Sequence, residues 1–205
     1  MAEPLTIIGA VAAVSQVTGE FVKLTTKLRH YLKVISRAPK EAQAFLLETS
    51  NFTGLLNFFA DLADRPVQGM RKRERRARES RVSGVKEQGE YICAKMEYLV
   101  DRFAKLAKQD MTQLESLLER IKYLLDKPDI EDLRLAIQSA TIHLNAMSTL
   151  LMWEQEPSNG PRRQLIREQL GNLLPMAKKA DDQLAEHQRQ HGSTYEDLQR
   201  PFLGA

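Results

Sequence analysis

Apolar residues recur every three or four positions through most of this 205-residue chain. The pattern is clearest at the start, where an apolar, small-residue run from Leu5 to Val14 leads into an amphipathic stretch that reaches Ile35. Alternating steps of four and three place such residues on one face of a helix, as in a helical bundle. The seam of this stretch comprises positions 7, 11, 14, 18, 21, 25, 28, 32 and 35. We therefore predict a first helix over residues 4–36 that packs against the others.

The same spacing continues after this first helix. It predicts helical segments over residues 39–62, 85–125, 129–155 and 162–188. The seam of the 85–125 segment slips near residue 110, which predicts a break into two helices there. Pro175 lies inside the last segment and removes one backbone donor, so we expect a kink. The fold class is an all-α bundle of five or six amphipathic helices. One domain covers residues 1–190, and a loose tail covers 191–205.

Residues 65–84 differ from the rest of the chain. They lack an apolar stripe between Met70 and Val82, and Pro66, Gly69 and Gly84 flank a basic run. Such a composition is typical of a solvated, flexible connector within the bundle.

Charge and composition narrow the functional classes. The chain carries a formal net charge of +3, but residues 71–81 alone carry +5, so attraction to polyanions is local. The single cysteine, Cys93, excludes an intrachain disulfide and favours a reducing compartment. The apolar run after Leu5 meets Gln16, Glu20 and Lys23, and a membrane span needs about 20 apolar residues. The run also lacks the pattern of a secretory signal.

The sequence contains no recognisable catalytic or ligand-binding motif, so we predict that the protein is not an enzyme. The ten glycines form no phosphate-binding loop, and no G-x-S-x-G or H-E-x-x-H occurs. His187 and His191 have the i, i+4 spacing of metal ligands, but a polar helix end explains them as well. Cys93 beside an apolar seam and His143 on a packed helix are typical of structural residues. We expect no cofactor, no metal and no small-molecule substrate.

The basic run is the strongest charged feature. It is either a solubilising linker or a site for anionic lipid headgroups or nuclear import. Sequence-specific nucleic-acid binding is less favoured, because no aromatic residue alternates with the arginines. The candidate residues for an anionic surface are Arg71, Lys72, Arg73, Arg75, Arg76, Arg78 and Arg81.

The N-terminal run also has two interpretations. Small residues at i, i+4, such as Gly9 and Ala13, let helices approach closely in a soluble core or in a membrane. The run is either a tightly packed core helix or one that inserts into membranes after leaving the bundle. The candidate residues for membrane contact or oligomerisation are Leu5, Ile7, Ile8, Gly9, Val11, Ala13, Val14 and Val17.

The opening residues, MAEPLTIIGAVAAV followed by a long amphipathic helix, resemble a known family. They are similar to the N-terminal domain of filamentous-fungal STAND proteins, which are NLR-like receptors with a NACHT or related ATPase. They also resemble the broader HeLo-like group of fungal helical domains. The specific resemblance covers roughly residues 1–60, and the remainder agrees as a helical bundle. No ATPase and no prion-like segment follow the bundle in this sequence.

The resemblance implies a non-enzymatic signalling or cell-death domain. In that group, helical bundles act as oligomerising inducers, and some members release an N-terminal helix to permeabilise membranes. We expect protein partners or self-association, with conditional contact to anionic membrane, and a cytoplasmic location that includes the membrane periphery. One alternative is a scaffold or adaptor with no membrane activity. Another is a nuclear or nucleic-acid-associated protein that uses residues 71–81.

Overall fold

The chain folds into five long helices in the part that the structure describes. The structure is a computed structural model that describes residues 7–34, 40–65, 72–107, 128–157 and 160–191. The helices are α1 (Ile7–Val34), α2 (Lys40–Asp64), α3 (Lys72–Ala107), α4 (Pro128–Gln155) and α5 (Arg163–His191). No strand occurs in these ranges, so the predicted all-α bundle is confirmed.

Helices α1 to α4 form a four-membered ring. α1 packs against α2 and α3, and α4 packs against the same two helices from the opposite side. α5 lies outside this ring and packs mainly along α4. The core therefore lies between the first four helices, and α5 covers one outer face of the bundle.

Polar contacts fix the directions of α2 and α4. Near the start of both helices, Arg134 of α4 donates from Nη2 to Glu48 Oε1 of α2 at 2.9 Å. Near the end of both helices, Gln155 of α4 donates to the carbonyl oxygen of Leu62 of α2 at 3.2 Å. Because both partners advance together, the two helices run parallel.

Ion pairs show that α3 runs in the opposite direction. Lys95 pairs with Asp132 near the start of α4, whereas Arg81 pairs with Glu154 near its end. Five residues separate α1 from α2. Arg29 contacts Ser50 and the earlier Phe21 contacts the later Phe52, so α1 lies antiparallel to α2. The start of α1, the end of α2 and the start of α3 therefore lie at one end of the bundle.

The seam predicted for the first helix is confirmed. Its described positions are all buried, and they are Val11, Val14, Thr18, Phe21, Thr25, Leu28 and Leu32. The two threonines fit this apolar face because a threonine hydroxyl can bond back to its own helix, as Thr18 does to the Val14 carbonyl oxygen at 2.8 Å.

An aromatic face of α2 also lies in the core. Phe45, Phe52 and Phe59 are at most 1% exposed. Phe52 meets Phe21 of α1 edge to face, with ring centroids 5.0 Å apart. Such a pair contributes about 0.5–1.5 kcal/mol beyond the area that the rings bury.

The predicted connector over residues 65–84 is wrong where the structure describes it. Residues 72–84 form the first turns of α3, which begins thirteen residues before the predicted start at 85. Arg78 and Val82 are buried, at 2% and 0% exposure, and they continue the four-three seam of α3 backwards from Val85. The sequence pattern missed this because an arginine occupies a core position.

Several predictions fall on residues outside the described ranges. These are the break near residue 110, the part of the 85–125 segment that follows residue 107, and the loose tail beyond His191. The last described helix is continuous across Pro175, and the predicted kink there stays a prediction.

Candidate interaction surface at the basic end of the bundle

Arg78 of α3 caps the C-terminal end of α2. Its Nη2 atom donates to the carbonyl oxygens of Leu62, Ala63 and Arg65 at 3.1, 2.9 and 3.0 Å. The last carbonyls of a helix have no partner within it and carry its negative dipole end, so a cation stabilises them. Burial lowers the pKa of the Arg78 guanidinium, and the charge of Glu154 opposes this effect.

Glu154 of α4 completes this contact between three helices. It pairs closely with Arg81 and lies 4.0 Å from Nη1 of Arg78. Burial raises the pKa of the Glu154 carboxyl, whereas the charges of Arg81 and Arg78 lower it. Both arginines were predicted for an anionic surface, and the structure instead gives them partners inside the protein.

Four of the predicted anionic-surface residues do face solvent. They are Lys72, Arg73, Arg75 and Arg76, and their side chains are exposed along the first turns of α3. None of the four has an ion pair with a described carboxylate. Arg71 lies outside the described residues. Because Arg78 anchors the same helix, these cations project from a fixed segment and not from a loose connector.

A second basic group lies at the same end of the bundle. α5 begins eight residues after α4 ends, and its Arg163 lies over the ring of Trp153 near the end of α4. Arg162 directly precedes α5, and Arg163 and Arg167 lie in its first turns. Sequence analysis did not single out these residues, because about 90 positions separate them from the first basic run. Only the antiparallel packing of α3 and α4 brings the two groups to one end. We call this the basic end.

The start of α1 reaches the basic end with its apolar residues turned inward. Val11, Val14 and Val17 are buried, and Gly9 and Ala13 are half-buried. Leu5 and the side chains of Ile7 and Ile8 lie outside the described residues. No helix in the described ranges is both long enough and apolar enough to cross a bilayer.

α1 lies close against α3 at Gly89. A Cβ atom at this position would lie 2.6 Å from Cγ1 and 3.8 Å from Cβ of Val17. Cys93 lies one turn further, with its sulfur 3.8 Å from the Val17 carbonyl oxygen. Burial raises the pKa of the Cys93 thiol to about 12, so it stays protonated and unreactive.

One cluster of serine, histidine and aspartate joins α4 to α5. Ser139 donates to Asp181 Oδ1 at 2.7 Å, and Nε2 of His143 lies 2.9 Å from Asp181 Oδ2. A hydrolase triad needs the histidine between the serine and the carboxylate. Here the carboxylate lies between the other two, so this cluster fastens α5 to α4.

A buried polar network crosses α3 and α4. Lys95 and Asp132 form an ion pair at 6% and 0% side-chain exposure, and Tyr91 donates to Asp132 at 3.3 Å. Burial lowers the pKa of Lys95, but hydrogen bonds to Asp132 and Tyr91 outweigh burial and raise it. Gln188 of α5 donates to the Tyr91 hydroxyl at 3.0 Å. The ion pair at the centre of this network is buried, which suits a structural role.

The described residues contain no group of three potential metal ligands. His187 lies 3.3 Å from the Pro128 carbonyl oxygen, and the side chain of His191 is outside the described part. Comparisons with protein-family models, curated proteins and solved structures found no match to this chain.

Proposed function

We propose that this protein is a non-enzymatic helical signalling domain whose α1 helix is stored in the bundle and associates with anionic membrane after release. The observation that carries the proposal is the shared position of two features. The start of α1 and the four exposed cations of α3 lie at the same end of the bundle.

Because of this shared position, attachment of the basic residues to a membrane favours contact between the released α1 helix and the same membrane. Each basic residue near an anionic bilayer contributes about 1 kcal/mol of attraction. Attachment through Lys72, Arg73, Arg75 and Arg76 would bring the start of α1 close to the bilayer surface. Because the apolar face of α1 is buried against α2 and α3, the helix must leave them before that face can contact lipid.

A designed disulfide tests the release step. The distance of 3.8 Å between the positions of the Cβ atoms at residues 17 and 89 matches the separation in native disulfides, about 3.5–4.5 Å. The variant Val17→Cys/Gly89→Cys, made with Cys93→Ala, therefore joins α1 to α3 when oxidised. We expect the reduced form to release dye from vesicles that contain phosphatidylserine, and the oxidised form to be inactive. Equal leakage from both forms would refute the release of α1.

Paired substitutions test the attachment step. Arg75→Gln/Arg76→Gln removes two cations from the basic end, and Lys178→Gln/Lys179→Gln removes two exposed cations from the middle of α5. The first variant should weaken vesicle binding about thirtyfold, since two residues contribute about 2 kcal/mol. The second should change it little. Similar losses in both variants would show an effect of net charge alone.

A scaffold without membrane activity is the second candidate. It is favoured by exposed apolar side chains on α5, where Leu165, Leu174 and Met176 are more than half exposed. Sedimentation velocity would detect self-association through these residues, and substitution of Leu165 and Met176 by glutamine should abolish it. Self-association together with no vesicle leakage in either redox form would favour this candidate.

A nuclear role for residues 71–81 is an alternative from the sequence. A salt titration of DNA binding addresses it, because contacts to phosphates weaken steeply with salt. No binding at low salt would exclude this alternative.

A further inference from the structure

The last turn of α4 and the first turns of α5 form an open groove of about 610 Å³. It is lined by Trp153, Arg163, Gln164, Arg167 and Glu168. Its volume lies within the range of ligand-binding pockets, about 300–1,000 Å³. Nothing in the signalling role proposed above requires this groove.

An arginine lies over the ring of a tryptophan in this groove. The Cζ atom of Arg163 lies 4.3 Å from the centroid of the Trp153 ring. A guanidinium that stacks in this way uses its face, and its N–H groups point outward in the plane. Arg163 is therefore held in place while its donors remain available to an acceptor in the groove.

The groove carries an excess of positive charge. Gln164 donates to Glu168 at 3.3 Å, whereas neither Arg163 nor Arg167 has an ion pair with a described carboxylate. No acidic residue lies in the first turn of α5. Cations at this position are repelled by the positive end of the helix dipole. An anion bound there would offset this unfavourable interaction. Other arginines of the bundle, such as Arg78 and Arg134, have partners within the protein.

We infer that this groove binds an acidic peptide segment of a partner protein. Two arginines one turn apart can each take a carboxylate, and the indole of Trp153 offers an apolar surface to a side chain between them. The groove is much larger than a single inorganic anion. It is also concave, and a flat bilayer surface does not fit a concave site.

The tryptophan provides a direct measurement of binding. Trp153 is the only tryptophan of the chain, so its emission reports this groove alone. The probe is a short capped peptide that alternates glutamate and leucine, and the control peptide replaces glutamate with glutamine. We expect saturable change in emission with the acidic peptide and none with the neutral one. Equal responses to both peptides would overturn the inference.

Substitutions then locate the contact. Arg163→Gln and Arg167→Gln should each raise the Kd for the acidic peptide about tenfold, measured by fluorescence anisotropy of a labelled peptide. The matched control is Arg189→Gln at the other end of α5, where the arginine pairs with Glu186 at 2.6 Å. Arg163→Lys keeps the charge but loses the planar stack, so it should recover only part of the affinity.

The fold and the competing ligands are checked in the same series. Circular dichroism should show unchanged helix content in all three glutamine variants, because each side chain lies at the surface or in the groove. An equal loss of affinity in Arg189→Gln would overturn the inference, since it would show attraction by net charge. An emission change with phosphatidylserine vesicles but not with the acidic peptide would also overturn it.

Discussion

Gly89 of α3 lies directly against Val17 of α1, and the absent side chain is what lets the two helices meet. A Cβ at position 89 would come within 2.6 Å of Cγ1 of Val17, closer than such atoms approach in folded proteins. Val17 is 3% exposed, and a β-branched side chain has few rotamers with which to move aside. This contact therefore sets the distance between the N-terminal helix and the rest of the bundle.

Substitution of this glycine by alanine should destabilise the protein. Overpacking a core typically costs about 1–3 kcal/mol, whereas the gain in helix propensity is about 1 kcal/mol. We expect Gly89→Ala to lower the free energy of unfolding by up to about 2 kcal/mol in urea denaturation.

Gly84 provides the matched control on the same helix. A Cβ there meets nothing within 4 Å, so Gly84→Ala should stabilise the protein by about 0.5–1 kcal/mol. If Gly89→Ala stabilised the protein as much as Gly84→Ala, the close approach to Val17 would be refuted.

Loss of Arg78 should weaken the junction of α2 and α3. Arg78→Met removes three hydrogen bonds from a charged donor to the end of α2. The Leu62 oxygen keeps its bond from Gln155, whereas the oxygen of buried Ala63 loses its charged donor. We expect a loss of about 2–4 kcal/mol in the free energy of unfolding. Arg76→Met, two residues earlier and exposed, should change it by less than about 0.5 kcal/mol. Equal effects would contradict a structural role for Arg78.

The ion pair of Lys95 and Asp132 should show strong coupling. Lys95→Met leaves a fully buried carboxylate without its cation, and breaking a buried pair in this way costs about 3–5 kcal/mol. The double variant Lys95→Met/Asp132→Leu should recover most of this loss, because no buried charge remains. A double-mutant cycle from urea unfolding measures the coupling, and additive losses would show that the pair is not formed.

The same ion pair predicts how stability changes at alkaline pH. The pKa of Lys95 is raised above its ordinary value of 10.5, so the folded protein holds this proton more tightly than the unfolded chain. The stabilisation is complete below pH 10.5 and is lost as the pH rises through the folded pKa. Thermal melts above pH 10.5 should show a steeper loss of Tm for the native protein than for the double variant.

Cys93 should resist thiol reagents while the protein is folded. Its pKa is raised from 9.0 to about 12 because the side chain is buried, so almost no thiolate forms at pH 9. We expect labelling by a disulfide reagent to be slow in native buffer and fast in denaturant. Rapid labelling of the folded protein would show that α1 opens away from Cys93.

The sequence alone determined the helices whose seams are apolar. Apolar residues spaced three and four positions apart predicted α1, α2 and α4, because a helix that presents one apolar face must bury it. The same pattern failed at the start of α3, where Arg78 occupies a seam position, and it gave no sign of why Gly89 occupies another seam position further along this helix. One caps the end of another helix and the other admits a neighbouring helix, and neither role is visible in hydrophobicity.

Only the tertiary structure decided what the charged residues do. A run of like charges in sequence says nothing about which side chains find a partner. Packing α3 against α1 and α4 placed its start beside the end of α2, which turned Arg78 and Arg81 inward to carbonyl groups and to Glu154 and left the neighbouring cations in solvent. The same packing brought Arg163 and Arg167 to that end of the bundle. Contacts between residues far apart in the chain depend on helix direction and register, which periodicity does not encode.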